Sequence, residues 1–455
     1  MVETWSVNDQ NSTKENINKL IEFRQAVYEY GMTARRDALF NVLDALLCEG
    51  SVNSFAMLSQ SEQFQRKWPS LYAALADGRL DSEWLREYLA QQVPSQGICV
   101  FPLDGSPWPR PRSRVLADRQ YIYQASSDVN GGTVTVGYPY SLLEGCVEPH
   151  TSWSLPIDVR RVPADQTAQV IGAEQICSLA EHRQACLNAL DIVAADGKYG
   201  NSGFLRTVKG LRCGILVRLR CDRVLYAAPP APVPHQRGRR RIHGERFAFK
   251  EPESWGTPVE VVEREEDYWG QVRLECWQGL HEKKGADVPY EVIRACVHLE
   301  RERPPAALWL AWLPPIQLPT GMTLTVENLW QAYSSRWPVE AGIQFRKETL
   351  GWTLPRFQSR EAGDRWTELT GLACWMLFLA RAIVTDNPWP WQKAQSYLTP
   401  QRVQQSLRPI FALIGNPARL PKVRGKSPGW PKGRRRTPKP RFAVVKKTAT
   451  AVKTA

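Results

Sequence analysis

Apolar side chains recur every three or four positions through INKLIEFRQAVYEYG and ALFNVLDALLCEG, with Gly31 and Gly50 as stops. That spacing gathers them on one face of a helix, so residues 12–93 are predicted to be helical. A further helix is predicted in DSEWLREYLAQQV, started by Asp81 or Ser82 and stopped before Pro94. Near residue 97 the period changes. ICVFPLDGS (98–106) is a short apolar run ending in a turn, and RQYIYQA and TVTVGYPYSLL flank SSDVNGG as the arms of a hairpin. The helical stretch TAQVIGAEQICSLAEHRQACLNAL then leads to the strand LDIVAADG, a helix in FLRTVKGL and a strand in CGILVRLRC. From about 225 to 288 the chain turns polar, proline-rich and short-stranded. Apolar strands return in YEVIRACVHL and AALWLAWLP, and a helix-rich end runs from Thr325 to Val384.

Consecutive strands followed by helix–strand–helix–strand predict an α/β fold, a mixed sheet flanked by helices. A β-rich insertion interrupts it and an N-terminal helical domain precedes it. The boundaries expected are 1–96, 97–224 (first part of the sheet domain), 225–288 (insertion), 289–386 (second part) and 387–455. A length of 455 residues accommodates this organisation.

Charge changes the picture at one end. The chain carries 59 Lys and Arg against 46 Asp and Glu, and 13 of the basic residues fall in 419–455, where there is no acid. This Pro- and Gly-rich segment reads as a flexible basic arm for a polyanion, most simply nucleic-acid phosphate, or as a solubilising tail. A second basic cluster, RGRRR at 237–241, contributes Arg239, Arg240 and Arg241. No apolar run reaches the roughly 20 residues needed to cross a bilayer, and the polar N-terminus lacks a signal core, so a cytosolic chain without membrane contact is expected. The ten cysteines form no CxxC pair or Cys/His cluster, which argues against zinc and for reduced, packed thiols.

The segment with the most chemistry is YSSRWPVEAGIQFRKETLGW, residues 333–352. On one continuous helix Tyr333, Arg336, Glu340 and Lys347 would lie within an arc of about 60°. Such a stripe is either a solvated face with an Arg336–Glu340 ion pair or a site. Pro338 offers a second geometry, starting a new helix at its first turn, so that Tyr333 and Arg336 enter from the preceding turn.

The pattern Y-x2-R-x3-E-x6-K resembles the YREK signature of bacterial insertion-sequence transposases of the DDE type, and all four residues and all three spacings are met. The resemblance, carried by roughly 98–385, implies a ribonuclease H-like core whose catalytic and metal-binding acids are Asp104, Asp196 and Glu340. Asp104 ends the strand in VFPLDGS and competes with Asp118 and Asp128; Asp196 ends LDIVAADG, whereas Asp191 lies at that strand's start. Two Mg²⁺ ions are implied as cofactors, replaceable by Mn²⁺, because magnesium takes oxygen ligands and a metal pair can clamp both oxygens of a phosphodiester exchange. Water would free a 3′-OH at the element's end, and that 3′-OH would attack target DNA. Arg336 and Lys347 would hold phosphates and Tyr333 would support the backbone, with Arg356, Gln358 and Arg360 as further contacts. The family's β-rich insertion commonly stacks a flipped base on an aromatic residue; Trp269, Trp255 and Trp277 are candidates, and each also reads as insertion core. The partners implied are terminal-repeat and target DNA and a second copy of the chain. The N-terminal helices would bind the element's end. A catalytically inactive DNA-binding relative, a metal-dependent nuclease without joining activity, and an RNA-binding protein remain as alternatives.

Overall fold

The computed structural model describes residues 7–50, 52, 54–124, 133–148, 151–231, 239–266, 269–298, 307–422, 425, 429, 431–435 and 437–446. The hairpin turn at 126–132, with Asp128, lies outside them.

The N-terminal helices are α1 (Val7–Ala26), continued by a π-helical turn to Gly31, α2 (Arg36–Cys48), α3 (Phe55–Leu58), α4 (Pro69–Asp77) and α5 (Ser82–Gln92). A two-stranded ribbon, β1 (Met32–Ala34) with β2 (Arg79–Leu80), ties the two halves together. Asp81 caps α5, its side chain accepting from the Trp84 N–H at 3.1 Å. Every residue of α2 from Ala38 to Leu47 is buried, because the apolar faces of these helices pack on a long helix from the other end of the chain, α10 below.

The sheet strands are β3 (Gly97–Pro109), β4 (Gln120–Tyr123), β5 (Val134–Gly145), β6 (Leu155–Arg161), β7 (Ala189–Ala195), β8 (Gly214–Leu219), β9 (Val224–Tyr226), β10 (Arg246–Ala248), β11 (Glu260–Glu266), β12 (Gly270–Glu282), β13 (Tyr290–His298) and β14 (Leu308–Leu313). At the centre β6, β5, β3, β7 and β8 run side by side. β5 is antiparallel to β3, while β7 is parallel to β3 and β8 parallel to β7. Three strands connected up and down, followed by two parallel crossovers, make the ribonuclease H-like sheet expected from the sequence. The crossover helices are α6 (Ala168–His182), capped by Thr167, and α7 (Ser202–Thr207). β7 is buried along its whole length, so it reads as one continuous apolar run.

The insertion extends this sheet. β14 pairs with β8, β13 with β14 and β12 with β13, so the expected boundary at 288/289 falls between two strands joined in register. The chain then forms α8 (Val326–Ser334), α9 (Pro338–Glu348), α10 (Arg360–Ala380), α11 (Pro400–Ser406) and α12 (Phe411–Ile414). α8 covers the sheet at β7, β11 and β12, and α10 lies over β6 with the N-terminal helices on its other side.

Beyond Arg419 the structure departs from the expected free arm. The Phe442 N–H donates to the Arg114 carbonyl at 2.8 Å, the Val445 N–H donates to the Arg119 carbonyl at 2.7 Å, and Val445 forms a parallel bridge with Gln120. A segment without helical or strand periodicity has docked through its backbone on the loop that leads into the edge strand β4, whose Arg114 and Arg119 carbonyls accept from it.

Candidate active site

β3 and β7 are parallel neighbours, with Leu103 opposite Ala195. β3, expected to end at Asp104, runs on to Pro109 because β5 pairs with it along that stretch; Asp104 lies on it where the pairing with β7 stops, beside Asp196, which follows the carboxyl end of β7. Such strand ends are where open α/β sheets place their chemistry. Asp104 Oδ1 accepts from the Gly105 N–H at 2.7 Å, and Asp196 Oδ1 accepts from the Lys198 N–H at 2.9 Å. Burial pushes the Asp104 carboxyl above the usual aspartate range and the neighbouring Asp196 adds to the rise; the Gly105 N–H and the Arg336 guanidinium oppose it. Tyr199, three residues beyond Asp196, is buried with its hydroxyl 3.5 Å from Ser141 Oγ. Burial raises that phenol, and the charges of Asp196 and Asp104 raise it further.

Pro338 occupies the first turn of α9. The four-residue signature is therefore divided: Tyr333 lies in the last turn of α8, Arg336 in the connecting turn, and Glu340 and Lys347 on α9. One straight helix through all four, the first of the two expected geometries, is not formed, because the proline ring cannot sit in a helix interior. Arg336 Nη2 donates to Asp104 Oδ2 at 3.3 Å, and its guanidinium carbon stands 5.5 Å from the centre of the Tyr333 ring. Arg336 Nε is buried and has no hydrogen-bond partner. Burial pulls the Lys347 ammonium below the ordinary lysine range and Arg346 pulls it the same way; Asp104 opposes them.

Glu340 is exposed in the first turn of α9. Among the described residues no three His, Cys, Asp or Glu side chains are grouped closely enough to hold a metal ion, so Asp104, Asp196 and Glu340 do not form a ready three-carboxylate site. Two cations neutralise the aspartate pair: Arg336 at Asp104, and Lys198, whose Nζ is 3.7 Å from Asp196 Oδ2. The donors are all carboxylate oxygens, which suits a hard divalent cation.

The rival aspartates have other work. Asp191 forms a two-pronged pair with Arg183, at 2.8 and 2.9 Å, at the opposite end of β7. Asp118 accepts from Arg161 Nη1 at 3.0 Å and from the Ala164 N–H at 3.1 Å, which holds a loop.

Two residues absent from the sequence reading fix α9 in place. Glu144, fully buried on β5, pairs with the buried Arg346 of α9 and accepts from Ser154. Gly342 permits this approach, since a Cβ there would sit 3.0 Å from Ser154 Cβ. Their signals are an acid inside the apolar run YSLLEGCV and an arginine on the turn of α9 next to Lys347.

The other candidates are dispersed. Arg356 is exposed, Gln358 accepts from Lys439, and Arg360 pairs with Asp118 at 3.6 Å and with Glu361 at 2.9 Å. Trp269 packs edge-on against Trp330, with ring centres 6.1 Å apart. Trp277 is 5% exposed and joins Trp255, Trp309 and Phe247 in one aromatic cluster, so it presents no open face to a base. Arg239, Arg240 and Arg241 are exposed in an irregular segment. Among the described residues no helix is long and apolar enough to cross a membrane.

The family described as DDE superfamily endonuclease matches residues 28–283, a span that includes Asp104 and Asp196 and ends before α8 and α9. No curated protein matches the chain.

Proposed function

The chain belongs to the DDE superfamily of endonucleases, and from that premise we propose that it is a DNA transposase, cutting at the ends of an insertion element and joining the freed 3′-OH to target DNA. The observation that carries this reading is the juxtaposition of Asp104 and Asp196 on adjacent strands, with Arg336 bonded to Asp104. Asp104, Asp196 and Glu340 would hold divalent metal, Mg²⁺ or Mn²⁺. A bound ion supplies the Lewis acidity that polarises the phosphodiester and activates the attacking oxygen. The chain's own residues do the rest. Arg336, bonded to Asp104, and Lys347 on α9 would bind the phosphate on either side of the cut. The unpartnered Arg336 Nε–H is a donor for one of those phosphate oxygens. Tyr333, 6% exposed, backs the Arg336 guanidinium and limits its rotamers. Trp269, at the turn between β11 and β12, and Arg239, Arg240, Arg241 and Arg356 contact DNA further out. Two copies of the chain would pair the two element ends.

One observation favours a second reading, a relative that binds DNA without cutting it: among the described residues no three acidic, His or Cys side chains are grouped closely enough to hold a metal ion. Purified protein, Mg²⁺ and a labelled element end with a target plasmid distinguish the two. The transposase reading predicts end-to-plasmid joined product, abolished by Asp196→Asn while DNA binding persists. Nicked DNA without joined product assigns a nuclease instead, and bound but uncut DNA assigns the inactive relative.

A further inference from the structure

The basic C-terminal segment is docked, and its docking lines up with cations on the body of the protein. It leaves the helical region at Arg419, whose N–H donates to Asp37 Oδ1 at 3.1 Å and whose carbonyl accepts from Arg66 at 2.5 Å. At its other end Lys439 donates to Gln358, the Phe442 N–H to the Arg114 carbonyl, and the Val445 N–H to the Arg119 carbonyl. Arg119 is 2% exposed, and its guanidinium returns a bond to the Phe442 carbonyl at 3.1 Å while also serving the carbonyls of Arg110, Pro111 and Leu116. The segment is held by its backbone and by the Lys439 side chain, and the charged groups of Lys432, Arg435, Arg441 and Lys446 are exposed.

The loop that receives it is tied to the active-site strand. Trp108 Nε1 donates to the Thr353 carbonyl at 3.0 Å and Arg110 Nη2 to the Pro355 carbonyl at 2.7 Å, which ties the stretch carrying exposed Arg356 to the end of β3, from which the chain runs on to exposed Arg112 and Arg114. The acids nearby are already paired: Asp118 and Asp364 with Arg161, and Glu361 with Arg360.

We infer that the docked segment and the body residues Arg112, Arg114 and Arg356 form one phosphate-binding track for duplex DNA, beyond the end of β3. This rests on the DNA-acting function proposed above. Docking preorganises the cations, so the track depends on the backbone anchors as well as on charge.

Equilibrium binding of the full chain to a duplex of arbitrary sequence, measured against salt in EDTA, tests this without any cleavage. Replacing Lys432, Arg435, Arg441 and Lys446 together by Gln lowers the slope of log K against log salt by up to about 3 to 4, at about 0.9 per phosphate contact. Val445→Pro keeps every charge but removes the anchoring N–H. It is expected to weaken binding and lower the slope in the same direction, with faster hydrogen exchange across 440–446 confirming release. A quadruple variant with the wild-type slope overturns the track. So does a released Val445→Pro protein that binds like wild type, because the segment would then act as a free arm. Loss of joining activity with this salt dependence intact would sink the transposase reading and leave the track standing.

Discussion

Asp104 sits between a repulsive neighbour and an attractive one. Asp196 disfavours its charge and Arg336 favours it, so the guanidinium stabilises the aspartate pair in the DNA-free protein. The same contact occupies an oxygen that a divalent ion would need. Arg336→Ala is therefore expected to tighten Mn²⁺ binding by the DNA-free protein by about tenfold, the equivalent of one charge-assisted contact of about 1.4 kcal/mol. It is expected to slow cleavage at the same time, because the phosphate loses its donor. Titration calorimetry with Mn²⁺ checks the first effect, and unchanged or weaker binding would show that Arg336 does not compete at this site. At this scale the sequence was informative about position more than about chemistry. The run LDIVAADG placed Asp196 just past a strand, where it is found, whereas the strand expected to end at Asp104 continues to Pro109 because β5 pairs with it there. Glu144 and Arg346 were not legible: partners 202 positions apart leave no periodic trace.

Among the elements, α9 carries Glu340 and Lys347 on one side and Arg346 on another, and the Glu144–Arg346 pair sets how α9 lies on the sheet. A buried pair contributes little net stability, yet removing one partner strands a charge. Glu144→Ala is expected to cost about 3–5 kcal/mol in denaturant unfolding, whereas the double variant Glu144→Leu with Arg346→Met recovers most of it. A double-mutant cycle that returns no coupling would mean the pair does not hold α9. The buried stretches of β3, β7 and β8 announced themselves as apolar runs. β6 did not, since LPIDVRR opens next to a proline position and places a buried acid, Asp158, among arginines that pair with it. The break between α8 and α9 was legible as one of two geometries because Pro338 admits few positions in a helix.

On the scale of the whole molecule, the N-terminal helices and α10 share one apolar core, locked by the buried Arg24–Asp44 pair at 2.6 Å and by Arg24 Nη2 on the Gly415 carbonyl at 2.9 Å. The insertion likewise continues the central sheet, and the C-terminal segment closes on its β4 edge. Composition marked these regions as different without showing where they attach, because attachment uses backbone groups and packed faces that any sequence of suitable polarity provides. All of them converge on the frame that holds Asp104 beside Asp196. Mn²⁺ bound to the full chain on duplex DNA, counted by electron paramagnetic resonance, measures directly what that frame is for. Wild type is expected to retain Mn²⁺, Asp104→Asn and Asp196→Asn each to lose it, and Glu340→Gln to hold it more weakly. Mn²⁺ retained at wild-type affinity by Asp104→Asn and Asp196→Asn would contradict the account.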